Sequence, residues 1–238
     1  MLSLGTLLLA AYETAKISVP TIVDALGGGA DVRVCDRRLD SWSAQLLKQA
    51  GVSLQTAGLE LIEPKTSYIV MSNHQSLYDI PVLFQGLKIP IRMVAKKELF
   101  RIPIMGGGMR GAGFVEIDRS NRHQAVRSLN AAREQMLRDH ISLWIAPEGT
   151  RTEDGRMGEF KRGGFYMAIE SGFPILPVTI DGTLAVHRSG SPSVHQGETV
   201  KVTVSPSLDP GEYGKPRVRE LMTEVRRRIS EHLPEAQR

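Results

Sequence analysis

From Gly58 onward, short apolar or β-branched runs alternate with stretches whose apolar residues recur every three or four positions, and nothing else in the sequence restricts the fold as much. The runs at 68–71, 91–95, 113–117, 141–145, 174–180 and 199–204 read as strands. Between them, 124–138 places Ala125, Leu129, Ala132 and Met136 on one helical face. A second helix is expected over 160–171, stopped by Gly172-Phe173-Pro174, and a third over 217–232 with Val218, Leu221, Val225 and Ile229 in line. Such alternation predicts an α/β fold, a central sheet flanked by helices. A chain of 238 residues, 41% hydrophobic, is long enough to bury one full core and rules out wholesale disorder. The expected division is a helical segment over 1–57 and an α/β domain over 58–238.

The first 26 residues are the most apolar, with Leu2, Leu4, Leu7, Leu8, Leu9 and Tyr12, but Glu13 and Lys16 interrupt them and Pro20 follows. A spanning helix needs about 20 mostly apolar residues, and a secretory signal needs a basic start that is missing here. Two readings stay open for this segment on its own: a helix lying in a bilayer interface, or a helix packed on the domain's core. After Gly27-Gly28-Gly29, a second amphipathic helix is expected over 36–50, with Leu39, Trp42, Leu46 and Leu47 on one side and Arg37, Arg38 and Lys48 on the other. The net charge of +4 suits anionic lipids or phosphorylated substrates and is too weak to indicate nucleic acid. A single cysteine, Cys35, excludes an internal disulfide and a multi-cysteine zinc site, and neither metal nor cofactor is expected.

Three polar clusters follow strand-like runs, where open α/β sheets place ligands. Asn73-His74-Gln75-Ser76-Leu77-Tyr78-Asp79 comes first. With His74 ending a loop and Asp79 entering a helix, the carboxylate can turn back onto the imidazole, fix its tautomer and leave the other ring nitrogen as a base. A helix-capping cluster is the plainer alternative. The second is Glu148-Gly149-Thr150-Arg151, whose guanidinium suits phosphate oxygens, with Lys161 and Arg162 shortly after. The third is the stretch 113–119, from Gly113 to the pair Asp118-Arg119, downstream of Lys96-Lys97. Two motifs are set aside. The glycines at 106–111 precede a strand, not a helix that could hold a pyrophosphate, and are expected to form tight turns beside a ligand. Asp181-Gly182-Thr183 lacks the second aspartate of a phosphoaspartate site.

Taken in order, the blocks resemble the glycerolipid acyltransferase family, in its bacterial 1-acylglycerol-3-phosphate branch, over about residues 60–185. His74 and Asp79 match its histidine-four-residues-aspartate block, 113–119 the second, Glu148 to Arg151 the third, and Leu176-Pro177-Val178 the fourth. Ala146 stands where the family usually has an aromatic, and Glu116 where it usually has an apolar residue. The resemblance implies a central mixed sheet of the glycerol-3-phosphate acyltransferase kind, preceded by an N-terminal helical segment that anchors on a membrane. It implies acyl transfer from a thioester of coenzyme A or of acyl carrier protein to the sn-2 hydroxyl of lysophosphatidic acid, giving phosphatidic acid. His74 is then the base and Asp79 its orienter. Glu148, Gly149, Thr150, Arg151, Arg119, Lys96 and Gly113 hold the acceptor, with Pro177 shaping the site. The implied place is the cytoplasmic face of the inner membrane, held to anionic lipids without a span. Glycerol 3-phosphate, lyso-ornithine lipid or another lysolipid as acceptor, and thioester or lipid hydrolysis, remain as alternatives.

Overall fold

A computed structural model describes residues 4–29, 31–118, 122–188, 190–191 and 193–238. Helices α1 (Leu4–Leu26) and α2 (Val32–Gln49) lead into strand β1 (Ser53–Ala57) and strand β2 (Ile69–Ser72). Then come α3 (Asp79–Leu87), β3 (Ile91–Lys96), α4 (Met105–Gly111), β4 (Val115–Ile117), α5 (Arg122–Asp139) and β5 (Ser142–Ile145). The remainder is α6 (Gly163–Ser171), β6 (Ile175–Asp181), α7 (Thr183–Val186), β7 (Thr199–Val204) and α8 (Val218–Ser230). The described strands form one seven-stranded sheet in the order β1-β7-β6-β2-β5-β3-β4. It is mixed: β6, β2, β5, β3 and β4 run parallel, β7 is antiparallel to β6, and β1 is parallel to β7.

Both faces of the sheet are covered. Along β2, alternate residues point to opposite sides. Val70 lies in one buried cluster with Leu39 and Leu47 of α2 and Val82 and Leu87 of α3. Ile69 and Met71 lie in a second cluster with Met136 of α5, Phe165 of α6 and Leu221 and Val225 of α8. Burial on both sides is why the parallel strands read as unbroken apolar runs. Helix α2 starts earlier than its apolar spacing suggests, at Val32, because Asp31 caps it by accepting from the Arg33 and Val34 amides at 2.8 and 3.2 Å.

Two elements differ from expectation. Strand β1 carries little apolar signal, Ser-Leu-Gln-Thr-Ala, because it is an edge strand with three of its five residues exposed. The glycine run does not form turns beside a ligand; it is helix α4, laid against α1. A Cβ at Gly107 would come within 2.8 Å of Ile22, one at Gly111 within 2.9 Å of the Thr21 carbonyl, and one at Gly108 would overlap Ser18. Glycine in a helix costs about 0.5–1 kcal/mol against alanine, and here it lets two helices touch.

Helix α1 is inverted relative to an ordinary surface helix. Its polar residues Glu13, Ser18 and Thr21 are buried, Thr14 accepts a hydrogen bond from Trp42 Nε1 at 3.2 Å, and Arg38 of α2 pairs with Asp24 at 2.7 Å. Leu8, Tyr12, Val19, Val23 and Leu26, spaced by four, seven, four and three residues, face outward, Leu26 being 84% exposed. No described helix is long and apolar enough to cross a membrane.

Candidate active site

The parallel strands β2, β5, β3 and β4 end on the same edge of the sheet, so the loops that follow them converge there. After β2, Asn73 pins its loop to β6: its side-chain nitrogen donates to the Ile180 carbonyl at 2.8 Å and its oxygen accepts from the Ile180 amide at 2.9 Å. His74 is therefore delivered from a fixed point. Its Nδ1 lies 2.7 Å from Oδ2 of Asp79, the first residue of α3. That carboxylate is fully buried, and Oδ2 also accepts from the amides of Gln75 at 2.7 Å and Ser76 at 2.9 Å. Oδ1 accepts from the Thr183 hydroxyl. With donors on both oxygens, Asp79 holds Nδ1 in its N–H form, and Nε2 keeps the lone pair. The Trp144 ring stands perpendicular to the imidazole, 5.3 Å between ring centres.

His74 opens onto a cleft of about 1850 Å³. Gly149, Thr150 and Arg151 line it from the loop after β5, Lys96 and Lys97 from the end of β3, and Lys161 and Gly164 from the entrance to α6. Lys97 is paired with Asp118 at 2.6 Å. No carboxylate among the described residues lies within ion-pair distance of Lys96, Arg151 or Lys161. The cleft thus brings one oriented base together with Lys96, Arg151 and Lys161, side chains whose charge suits phosphate oxygens, although Glu98, Glu134 and Glu170 also line it.

Residues 53–181 match the family model described as Acyltransferase. The chain belongs to the acyltransferase family. A 1-acyl-sn-glycerol-3-phosphate acyltransferase of Salmonella typhimurium is 34% identical over 167 residues, 70% of this chain and 67% of that protein. The protein of the same description from Escherichia coli K12 is 33% identical over the same shares. The crystal structure of the 1-acyl-sn-glycerophosphate (LPA) acyltransferase PlsC from Thermotoga maritima superposes with a TM-score of 0.73 at 26% identity, covering 94% of this chain and 95% of that one.

In this acyltransferase, four of the expected acceptor residues, Gly149, Thr150, Arg151 and Lys96, line the cleft with His74, and three do not. Glu148 points inward, 4% exposed, and its two oxygens accept from the His74 amide at 2.9 Å and the Gly158 amide at 2.6 Å. It braces the histidine's backbone instead of facing a phosphate, which its charge would repel. Burial pushes the Glu148 carboxyl up, opposed by those two amides and by the His74 and Arg226 charges. Gly113 lies in the turn between α4 and β4 and does not line the cleft; its φ is 81° and its carbonyl accepts from Gln135 Nε2 at 3.1 Å. Pro177 is inside the sheet, in register with Met71 of β2, its carbonyl accepting from the Ser205 amide at 3.0 Å. Arg119 lies outside the described residues.

Two other residues hold the site in roles that their sequence motifs do not indicate. Thr183 belongs to the motif set aside above, and its hydroxyl nevertheless completes the Asp79 cage. Ser76 is fully buried; its hydroxyl donates to the His187 carbonyl at 2.7 Å and accepts from the Tyr78 amide at 3.2 Å, so it holds the loop together and does not face the cleft as a nucleophile would.

Proposed function

We propose that this acyltransferase moves a fatty acyl group from a thioester to the sn-2 hydroxyl of lysophosphatidic acid, forming phosphatidic acid. The observation that carries the reading is the His74–Asp79 pair at 2.7 Å, opening on a cleft that also holds Arg151, Lys96 and Lys161. The Salmonella typhimurium and Escherichia coli relatives are named for the same activity. His74 Nε2 takes the acceptor's hydroxyl proton as the oxygen attacks the thioester carbonyl. The resulting imidazolium lies against the Asp79 carboxylate. Collapse of the tetrahedral intermediate breaks the C–S bond, and the proton on Nε2 goes to the leaving thiolate. Base and acid are one group, and the histidine returns unchanged. The thioester is that of coenzyme A or of acyl carrier protein; the C–S chemistry is common to both.

An acyl-transfer assay across lysophosphatidic acid, glycerol 3-phosphate and a phosphate-free monoacylglycerol tests the acceptor. Lysophosphatidic acid is expected to be the preferred one, and equal rates with monoacylglycerol would refute it. The cations supply the second half of the test. Hydrogen bonds to charged groups contribute about 1.5–3 kcal/mol, so Arg151→Ala should raise KM for lysophosphatidic acid by about 10- to 100-fold. The same substitution should leave the monoacylglycerol KM unchanged. An unaltered KM for the phosphorylated acceptor would remove Arg151 from its binding.

Both lipids live in a bilayer, and the reading extends to a membrane surface, the cytoplasmic face of the inner membrane. Its anchor is the N-terminal helical part of the chain, α1 and α2; the expected boundary at 57 falls too late, because Ser53–Ala57 is already strand β1 of the sheet. Support comes from the outward stripe of α1, apolar where an ordinary helix is polar. Burying a Val or Leu side chain contributes about 1.5–3 kcal/mol. Replacing Leu8, Val23 and Leu26 together by lysine should therefore abolish co-sedimentation with neutral phosphatidylcholine vesicles. Undiminished sedimentation would overturn the stripe's role.

A further inference from the structure

The matched family region ends at residue 181, yet the chain beyond it returns to the histidine loop repeatedly. Thr183 bonds Asp79, and the His187 carbonyl takes the Ser76 hydroxyl. The farthest return is Gln237, 162 residues from its partner: its Oε1 accepts from Gln75 Nε2 at 2.7 Å. Gln75 directly follows His74 and is fully buried. Its own Oε1 is buried with no partner, so the bond from Nε2 to Gln237 is what holds this amide. The Gln237 carbonyl in turn accepts from the Met157 amide at 3.1 Å, and the next residue, Gly158, donates to the carboxylate of Glu148 that holds the His74 amide. Gln237 therefore ties together the two loops that set where His74 stands.

We infer that Gln237 is a positioning residue for the acyl transfer proposed above: through Gln75 it keeps the His74 loop in the conformation that places the imidazole on Asp79. The transmission is short. The Gln75 amide is one of the donors to Asp79 Oδ2, the same oxygen that meets His74 Nδ1. Without the Gln237 oxygen, the buried Gln75 side chain has neither polar end satisfied, and the relief open to it is to swing toward water, dragging that amide off Asp79. Misplacement of a reacting group by about 1 Å can lower a rate about 100-fold. Stability is not at issue to the same degree. The turn Glu235–Gln237 buries none of its residues, and its neighbour Leu233, 2% exposed, supplies the apolar anchor of the chain end.

The test uses the full chain in two variants. Gln237→Met keeps the length of the side chain and removes its acceptor; Gln237→Glu keeps an acceptor oxygen. Steady-state kinetics, thermal unfolding and the low-field proton NMR resonance of His74 Nδ1 are measured for both. The methionine variant is expected to lose about tenfold or more in kcat with KM for both substrates nearly unchanged, to keep its Tm within a few degrees, and to shift or broaden the Nδ1 resonance. The glutamate variant is expected to recover most of kcat and the resonance. Wild-type kcat and resonance in the methionine variant, or a glutamate variant as impaired as the methionine one, would overturn the inference. The NMR arm needs no substrate. If the wild-type chain fails to acylate lysophosphatidic acid, a resonance that moves in Gln237→Met and returns in Gln237→Glu still upholds the positioning role, and one that ignores both still refutes it.

Discussion

With alanine at position 74, acyl transfer should slow by about 10²- to 10⁴-fold in kcat, the range over which a positioned general base contributes. An alcohol does not attack a thioester usefully at neutral pH unless its proton leaves in the same step, and among the described residues no other histidine lines the cleft. The fold should survive, for reasons visible around the residue. The His74 amide donates to Glu148 at 2.9 Å and its carbonyl accepts from the Thr152 amide at 2.9 Å, and alanine keeps both. Asp79, deprived of Nδ1, still accepts from Gln75, Ser76 and Thr183, so no buried carboxylate is stranded. The pattern to look for is a collapse of kcat, a nearly constant KM for each substrate, and an unchanged Tm. Turnover near that of the wild type in a folded variant would remove His74 from the chemistry.

How far the sequence disclosed this site depends on which physical scale each residue answers to. Strands buried on both faces, such as Ile69-Val70-Met71, write themselves as apolar runs, so the parallel part of the sheet is legible. An edge strand such as β1 is not, because half its surface is wet. His74 and Asp79 are legible as a pair since one loop and one helix start bring them together locally. Glu148 shows the opposite limit. It stands just before Gly149, Thr150 and Arg151, and closeness in sequence says nothing of direction: those three line the cleft, and Glu148 accepts from the His74 amide beneath it. The glycines of α4 carry the same lesson. Locally they read as turn residues, and only the presence of α1 against them explains why a helix tolerates them. Thr183 and Gln237 act over 104 and 162 residues, distances at which no local pattern leaves a trace.

Asp79→Asn separates charge from geometry, and it is expected to lower kcat by about 10²- to 10⁴-fold with little change in KM or Tm. Two placements of the new amide are available. Either its oxygen takes the Oδ2 position, or its nitrogen does. The nitrogen there would face the amides of Gln75 and Ser76 at 2.7 and 2.9 Å, donor against donor, so the oxygen takes that place. The NH₂ group then meets Thr183, whose hydroxyl rotates and accepts. Every contact of the cage survives, including the one to His74 Nδ1. What disappears is the negative charge beside an imidazole that becomes imidazolium as the acceptor's proton arrives. Asp79→Ala makes the contrast. It leaves the Gln75 and Ser76 amides buried without an acceptor, about 1–3 kcal/mol each, so it should lower Tm as well as kcat. If asparagine supports turnover at the wild-type rate, Asp79 serves the loop's shape alone, and stabilisation of the imidazolium plays no part in the reaction.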